Sequence, residues 1–234
     1  MTSRHDQPVA AIVVAAGSGS RLGASVPKAL VRLGERTLVE HAVAAMIAGG
    51  AARVVVTVPA DHVRPFEEAL AGFPEARWVV GGAERQDSVR LGLRALTDEF
   101  GPETVVLVHD AARPLVPQQV VAAVIDGVRD GAAVVIPVVA LHDSVRTSPE
   151  HGSVVVDRAT LRAVQTPQGA TLGTLVAAHR HVHEQGIQVT DDASAVETLG
   201  HGVAQVPGHR DAAKITEPVD LLLAEVVLAA RSSS

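Results

Sequence analysis

Short runs of β-branched residues alternate with alanine- and leucine-rich stretches along most of this chain. A short apolar run bounded by turn residues is typical of a strand, and apolar residues spaced three and four apart indicate a helix. Strands that alternate with helices fold into a mostly parallel sheet with helices on both faces. The predicted strands are 9–15, 54–58, 77–80, 105–108, 132–139 and 203–206, and the predicted helices are 37–48, 61 to about 70 with Asp61 as cap, 85–98, 117–129, 172–184, 192–199 and 218–230.

The alternation breaks once, in the middle of the chain. Residues 143–147 and 153–157 are two short extended runs joined by Ser148-Pro149-Glu150-His151-Gly152, which is typical of a β-hairpin. Because a lone hairpin is marginally stable in water, we expect it to pack on something, for example a partner subunit. We predict a single domain over residues 1–234, with 140–160 as a protruding β-arm.

Composition excludes several classes of function. The chain is 47% hydrophobic but only 2% aromatic, so its core must consist of aliphatic residues. A formal charge of −6 and the lack of a basic, aromatic-rich run argue against nucleic-acid binding. There are no cysteines, and the eleven histidines lack metal-ligand spacing. The N-terminus is polar and no apolar stretch is long enough to span a membrane, so we expect a cytoplasmic protein without a membrane partner.

A glycine-rich loop follows the first predicted strand and reads Ala15-Ala16-Gly17-Ser18-Gly19-Ser20-Arg21-Leu22-Gly23, with Pro27-Lys28 shortly after it. Backbone amides of such loops enclose phosphates. The third glycine, Gly23, comes one residue too late for a dinucleotide fingerprint, and no Walker string is present. Together with the cations Arg21 and Lys28, the loop predicts a site where a nucleoside triphosphate is attacked.

Other polar clusters follow the predicted strands 77–80 and 105–108, at the sheet edge where open parallel sheets bind ligands. Asp110 comes directly after a buried strand, where an unpaired carboxylate would be costly. It could hold Mg²⁺ together with substrate phosphates, or it could pair with Arg113 and close a turn; the glycine loop favours the metal. Gly81 and Gly82 could form an ordinary turn or allow a flat base to approach the backbone.

Four further positions have plain structural interpretations. Ser88 could be an ordinary residue of the first turn of a helix. The segment 190–194 is typical of a helix N-cap. Arg158 and Lys214 are solvent-exposed by default.

These residues together resemble the 2-C-methyl-D-erythritol 4-phosphate cytidylyltransferase family of the non-mevalonate isoprenoid pathway. The resemblance covers nearly the whole chain. It rests on A-A-G-S-G-S-R-L-G…P-K (15–28), G-G-A-E-R-Q-D-S-V (81–89), V-H-D-A-A-R-P (108–114), V-D-R (156–158), Q-T-P-Q (165–168), T-D-D-A-S-A-V-E (190–197) and K-I-T (214–216). The first motif is shared by many nucleotidyltransferases, whereas the combination of D-A-A-R-P, T-P-Q and T-D-D-A-S-A is specific.

The resemblance implies a Rossmann-like fold of the nucleotide-diphospho-sugar transferase type. It implies transfer of CMP from CTP to methylerythritol 4-phosphate with release of pyrophosphate and with Mg²⁺ as cofactor. It also implies a homodimer in which the arm reaches into the neighbouring subunit. By position, the implied catalytic residues are Arg21, Lys28, Arg158 and Lys214; the CTP contacts are Ala15, Ala16, Gly17, Gly19, Gly82, Ser88 and Asp110; the acceptor contacts are Arg113, Ser144, Arg158, Thr166, Thr190 and Lys214; and the metal ligand is Asp110.

The chain departs from the family pattern in three places. Ala83 stands where some members carry an acid, Ser144 where some carry threonine, and the segment before Lys214 lacks an asparagine. Two other interpretations remain. One is a cytidylyltransferase for another polyol or sugar phosphate, such as ribitol 5-phosphate. The other is a non-catalytic nucleotide-binding module, against which Arg21, Lys28 and Asp110 argue.

Overall fold

The computed structural model describes residues 7–17, 26–148 and 152–232. A central sheet carries the fold, and helices cover both of its faces, as predicted. The strands are β1 (Val9–Val14), β2 (Arg32–Leu33), β3 (Arg36–Thr37), β4 (Arg53–Val58), β5 (Ala76–Val80), β6 (Val105–Asp110), β7 (Val134–Ala140), β8 (Val145–Arg146), β9 (Val155–Val156), β10 (Arg162–Val164), β11 (Gln168–Thr171) and β12 (Val203–Pro207). The helices are α1 (Leu38–Ala48), α2 (Val63–Leu70), α3 (Arg85–Thr97), α4 (Gln118–Arg129), α5 (Leu172–Glu184), α6 (Asp192–Glu197) and α7 (Pro218–Ser232).

The strands β6, β1, β4 and β5 pair in parallel in that order, and β12 pairs in parallel with β7. Two short antiparallel strands, β10 and β11, lie on the other edge of β7, and β11 joins it to β6. The sequence predicts neither of these strands. Gln165, Thr166 and Pro167 separate them, and the Thr166–Pro167 peptide bond is cis. The interruption brings Thr166 beside the end of β6.

Alternate residues of the strands point to two apolar layers. Ala11 and Val13 of β1 belong to the layer that also contains α1, α2 and α4. Ala10 and Ile12 belong to the opposite layer, which contains α3, α5 and α6. With so few aromatic residues, these layers are built from valine, leucine, isoleucine and alanine, as the composition predicts.

Side-chain caps fix the start of some helices, and one predicted cap is not formed. Thr37 caps α1, and Glu40 closes a capping box with it. Asp61 was predicted to cap the second helix, but this prediction is wrong. Asp61 lies in a single 3₁₀ turn, and α2 begins after His62 without a side-chain cap. Within the described residues, no helix is long and apolar enough to cross a membrane.

The predicted hairpin forms the arm. Val145 pairs with Val156, and Arg146 pairs with Val155. Residues 149–151 of its connection lie outside the described residues. Val154 and Val155 are 65% and 62% exposed, so the arm presents apolar side chains to solvent in the single chain.

Candidate active site

A cleft of about 230 Å³ opens at the carboxyl ends of β1 and β6. Five predicted CTP contacts line it: Ala15, Ala16, Gly17, Gly82 and Ser88. The predicted charged residues Lys28, Asp110 and Lys214 line the same cleft. The chain therefore folds so that residues as distant in sequence as Val14 and Lys214 line one cleft at the predicted edge of the sheet.

Gly81 and Gly82 are required by close packing. A Cβ atom at Gly81 would lie 2.6 Å from the Cβ of Ala16 and 2.8 Å from the Oγ of Ser88. A Cβ atom at Gly82 would lie 2.3 Å from the Cβ of Asp87. The amide of Gly82 also donates a hydrogen bond to the Ser88 hydroxyl, at 3.1 Å. The close approach is thus between this loop, the glycine-rich loop and the start of α3.

Asp110 is the last residue of β6 and lies directly beside Val14 of β1. Arg85 donates from Nε to its Oδ1 at 3.2 Å, and Lys214 donates from Nζ to its Oδ2 at 2.8 Å. Burial alone would raise the pKa of Asp110, but the charges of Arg85 and Lys214 outweigh burial and hold the pKa well below its usual range. Asp110 is therefore a carboxylate at neutral pH.

The sequence left open that Asp110 pairs with Arg113 instead of binding a metal. In the structure Asp110 pairs with Arg85 and Lys214. The guanidinium of Arg113 instead donates to the carbonyls of Ala212 and Val164, at 2.8 and 3.2 Å. The bond to Ala212 helps to hold the segment that precedes Lys214 against the loop after β6. Lys214 is exposed, as predicted by default, and its ammonium group also reaches into the cleft, where it contacts Asp110.

Arg85 also contacts a second carboxylate. Its Nη2 donates to Oδ2 of Asp192 at 2.8 Å, and the Asp192 side chain is fully buried. Nε2 of His179 lies 3.0 Å from the other oxygen, Oδ1. Burial opposes the charge of Asp192, but Arg85 and the hydrogen bond from His179 lower its pKa to about 2. The same two carboxylates raise the pKa of Arg85 above its usual value despite burial.

The start of α6 is fixed by Gln168. Its side-chain oxygen accepts hydrogen bonds from the amides of Asp192 and Ala193, both at 2.9 Å. Its amide group donates to Asp191 at 2.8 Å. Asp191 in turn caps α6 by accepting from Ser194, which confirms the N-cap predicted from the sequence.

Behind Asp110, a chain of hydrogen bonds ends at its backbone. His109 is fully buried, and burial lowers its pKa to about 4, so the imidazole is neutral. Its Nε2 lies 3.0 Å from the carbonyl of Arg113, which can only accept, so Nε2 carries the proton. Nδ1 then accepts from the Thr166 hydroxyl at 3.0 Å, and that hydroxyl accepts from the amide of Asp110 at 3.1 Å.

Lys28 enters the cleft from the short 3₁₀ turn Lys28–Leu30. Its ammonium group donates to the carbonyl of Ile215 at 2.9 Å, and the amide of Ile215 donates to the carbonyl of Ala112. Lys28 is thus bonded to the residue that follows Lys214, so the two predicted lysines are held close to each other. Gly19 and Arg21 lie outside the described residues.

The remaining predicted acceptor contacts are not among the residues that line the cleft. Ser144 and Arg158 are exposed on the arm, where Arg158 donates to the carbonyl of His142. Thr190 is exposed just before α6, whereas Thr166 is 5% exposed and is bonded as described above.

Asp110 was predicted to bind Mg²⁺, and its surroundings suit a metal that takes most of its ligands from elsewhere. Among the described residues, each carboxylate oxygen has one nitrogen partner and therefore keeps an acceptor position. Mg²⁺ is commonly held by one or two carboxylates plus substrate phosphates. Within the described part of the chain, no group of three or more acidic, histidine or cysteine side chains could hold a metal without substrate.

One known protein family matches nearly the whole chain. Residues 9–230 match the model of the family IspD, 2-C-methyl-D-erythritol 4-phosphate cytidylyltransferase. The chain belongs to this family. A Streptomyces coelicolor protein named as this cytidylyltransferase is 50% identical over 242 residues, covering 97% of this chain and 87% of the relative. A Streptomyces avermitilis protein of the same name is 49% identical, covering 95% and 92%.

Solved structures of the cytidylyltransferase family share the fold. The Thermus thermophilus structure is 36% identical and has a TM-score of 0.77, covering 95% of this chain and 100% of that one. The sheet with helices on both faces, predicted from periodicity, is therefore confirmed as the fold of the family.

Sequence reasoning missed Arg85, which lines the cleft of this cytidylyltransferase, and the residues Gln168 and Asp192 that support it. Their partners are distant in sequence, with 25 positions between Arg85 and Asp110 and 107 between Arg85 and Asp192. The available signal was that Arg85 and Asp192 each begin a helix and that Gln168 belongs to the Q-T-P-Q motif.

Proposed function

We propose that this protein transfers CMP from CTP to 2-C-methyl-D-erythritol 4-phosphate, giving 4-diphosphocytidyl-2-C-methyl-D-erythritol and pyrophosphate in isoprenoid precursor biosynthesis. The observation that carries this proposal is the cleft in which Lys28, Lys214 and Asp110 meet the glycine-rich loop. The family match supports the identity of both substrates.

In this reaction a phosphate oxygen of the acceptor attacks the α-phosphorus of CTP. A new P–O bond forms, the bond from the α-phosphorus to the bridging oxygen breaks, and the electron pair leaves with pyrophosphate. Because the attacking phosphate is already ionised, no side chain has to remove a proton. Catalysis then depends on alignment and on stabilising the charge that develops on the phosphates.

The cations of the cleft supply that stabilisation. Lys28 is held by the Ile215 carbonyl, and Lys214 by Asp110, so both ammonium groups are in place before substrate binds. Arg21, outside the described residues, is proposed to act with them. Ala15, Ala16, Gly17, Gly82 and Ser88 bind CTP in this proposal, partly through backbone amides, and Gly19 belongs to the same loop.

Asp110 would hold the Mg²⁺ of the reaction, with the remaining ligands supplied by the triphosphate. Bound there, the ion would neutralise phosphate charge. Asp110 is suited to this role because it stays ionised in a buried setting and is fixed by its backbone and by Arg85.

The acceptor is proposed to bind near Arg113, Thr190 and Lys214 of one chain, with Arg158 and Thr166 contributed by a second copy. Ser144 is a further proposed acceptor contact. Support for a dimer comes from the arm, a hairpin with two residue pairs that exposes Val154 and Val155. So small a hairpin gains stability by packing on another surface. The cytoplasmic location, and the absence of nucleic-acid and membrane partners, stay predictions.

The acceptor is tested by measuring pyrophosphate release from CTP with a panel of polyol and sugar phosphates. We expect release with methylerythritol phosphate, little with ribitol 5-phosphate, and none without an acceptor. UTP in place of CTP tests the base preference in the same assay. Equal or faster turnover with ribitol 5-phosphate would overturn the acceptor assignment.

A further inference from the structure

Two contacts hold the carboxylate of Asp110, and they differ in kind. The Lys214 side chain is 45% exposed and bonds to Oδ2, so it can turn toward an anionic substrate. The Arg85 side chain is 27% exposed and bonds to Oδ1. If Lys214 leaves Asp110 to meet a phosphate, Arg85 is the charged partner that remains among the residues that the structure describes.

Asp192 anchors Arg85 from beneath the cleft. Its side chain is fully buried and is not among the residues that line the cleft. Both of its oxygens are engaged, one by Arg85 and one by His179. Its backbone is fixed by Gln168. A buried, hydrogen-bonded ion pair of this kind is costly to break, so the guanidinium has one orientation.

The charge balance supports the same interpretation. Nδ1 of His179 is buried and has no partner among the described residues. An unpaired lone pair costs less there than an unpaired N–H group, so Nε2 carries the proton and donates to Asp192. Arg85 bonds to the other oxygen of Asp192, and its positive charge favours the ionised carboxylate.

We propose that Arg85 is a positioning residue for the transfer reaction: anchored to Asp192, it fixes one oxygen of Asp110 and so sets the direction in which the carboxylate faces the triphosphate and its metal. An arginine suits this role because Nε and Nη2 of one planar group reach carboxylates on two different elements. The inference rests on the proposed function for the nucleotide and the metal.

The test measures CTP affinity by calorimetry with and without Mg²⁺, in the absence of any acceptor. We expect Arg85→Gln to reduce the Mg²⁺-dependent gain in affinity by a factor of about 10, as is typical for loss of a group that orients a metal ligand. Affinity for CTP without metal should fall by a smaller factor, because Arg85 also lines the cleft and its charge attracts the triphosphate. Arg90→Gln, on the same helix and paired only loosely with Asp87 at 3.8 Å, is the matched control and should behave as wild type.

Two further variants separate positioning from a general structural effect. In an Asp110→Asn background, Arg85→Gln should change the Mg²⁺-dependent gain in CTP affinity by less than about twofold, because the carboxylate that it orients is absent. Arg85→Lys keeps the buried charge and should fold even if Arg85→Gln does not. It should still lose more than about threefold of the metal-dependent gain, because an ammonium group cannot hold both carboxylates.

Each outcome is decisive. A wild-type protein that does not bind CTP would overturn the proposed function itself. CTP binding that Mg²⁺ does not strengthen would overturn the metal site and this inference with it. A metal-dependent gain that is equal in wild type and Arg85→Lys, or an effect of Arg85→Gln that persists undiminished in Asp110→Asn, would overturn the positioning role alone.

Discussion

Protonation of His109 should destabilise the fold as the pH falls below neutral. The pKa of this buried histidine falls from its usual 6.5 to about 4 because burial disfavours the charged ring. The His109 imidazole is therefore protonated near pH 6.5 in the unfolded chain, but only near pH 4 in the folded chain. Since the unfolded state binds more protons in this window, the free energy of unfolding decreases as the pH is lowered through it.

The size of the effect follows from the two pKa values. At pH 7.5 both states are almost fully neutral and the group contributes little. Between pH 7.5 and pH 5 the cost is about 2 kcal/mol, rising to about 3 kcal/mol below pH 4, at 1.36 kcal/mol for each pH unit. Protonation also removes one of the two hydrogen bonds of the ring, because Nδ1 can no longer accept from Thr166.

The assay is urea unfolding at pH 7.5 and pH 5 for wild type and His109→Gln. Glutamine can donate to the Arg113 carbonyl and accept from Thr166 but does not titrate. We expect wild type to lose about 2 kcal/mol more than His109→Gln over this range. His201→Gln, at an exposed position, is the control and should lose as much as wild type. An equal loss in wild type and His109→Gln would refute the reasoning.

Three other variants test separate parts of the account. Gly81→Ala should lower CTP affinity at least about tenfold by forcing the glycine-rich loop away from α3. Gly72→Ala is the control and should not lower it, because a Cβ atom at Gly72 meets nothing within 4 Å. Unchanged CTP binding in Gly81→Ala would show that the close approach is unimportant. Thr57→Val should raise the free energy of unfolding by about 1 kcal/mol, since the buried Thr57 hydroxyl has no partner among the described residues; a loss in urea unfolding would indicate an undetected bond. Mixing Arg158→Ala with Lys28→Ala should restore about a quarter of the wild-type turnover, because half of the dimers are mixed and each mixed dimer has one intact site; no recovery despite subunit exchange would contradict a shared site.

Much of the fold follows from local patterns. The parallel strands and most helix bounds are set by apolar periodicity, and the residues that line the cleft follow from the rule that ligands bind at the carboxyl ends of parallel strands. Asp110 could be singled out because a carboxylate at the end of a buried strand needs a partner. A functional role for Asp110 could therefore be predicted from one short stretch of sequence.

The missed features depend on contacts that leave no local pattern. β10 and β11 are three and four residues long and flank a proline, so neither carries a readable period. In the sequence, nothing distinguishes Arg85 from an ordinary helix residue. Its partners, on β6 and α6, come close to it only in the folded chain. Thr166 was assigned to an acceptor by resemblance, yet its hydroxyl bonds to His109 and Asp110 in the single chain. Its proposed role across the dimer stays a prediction.

In the proposed reaction, the cleft directs attack by the phosphate of the acceptor at the α-phosphorus of CTP. It is tested most directly by ³¹P NMR of a reaction containing CTP, methylerythritol 4-phosphate and Mg²⁺. We predict a new diphosphate diester, with one phosphorus from CMP and one from the acceptor, together with an equal amount of pyrophosphate. Formation of CDP or of inorganic phosphate, with no diester, would place the attack elsewhere on the triphosphate and contradict the account.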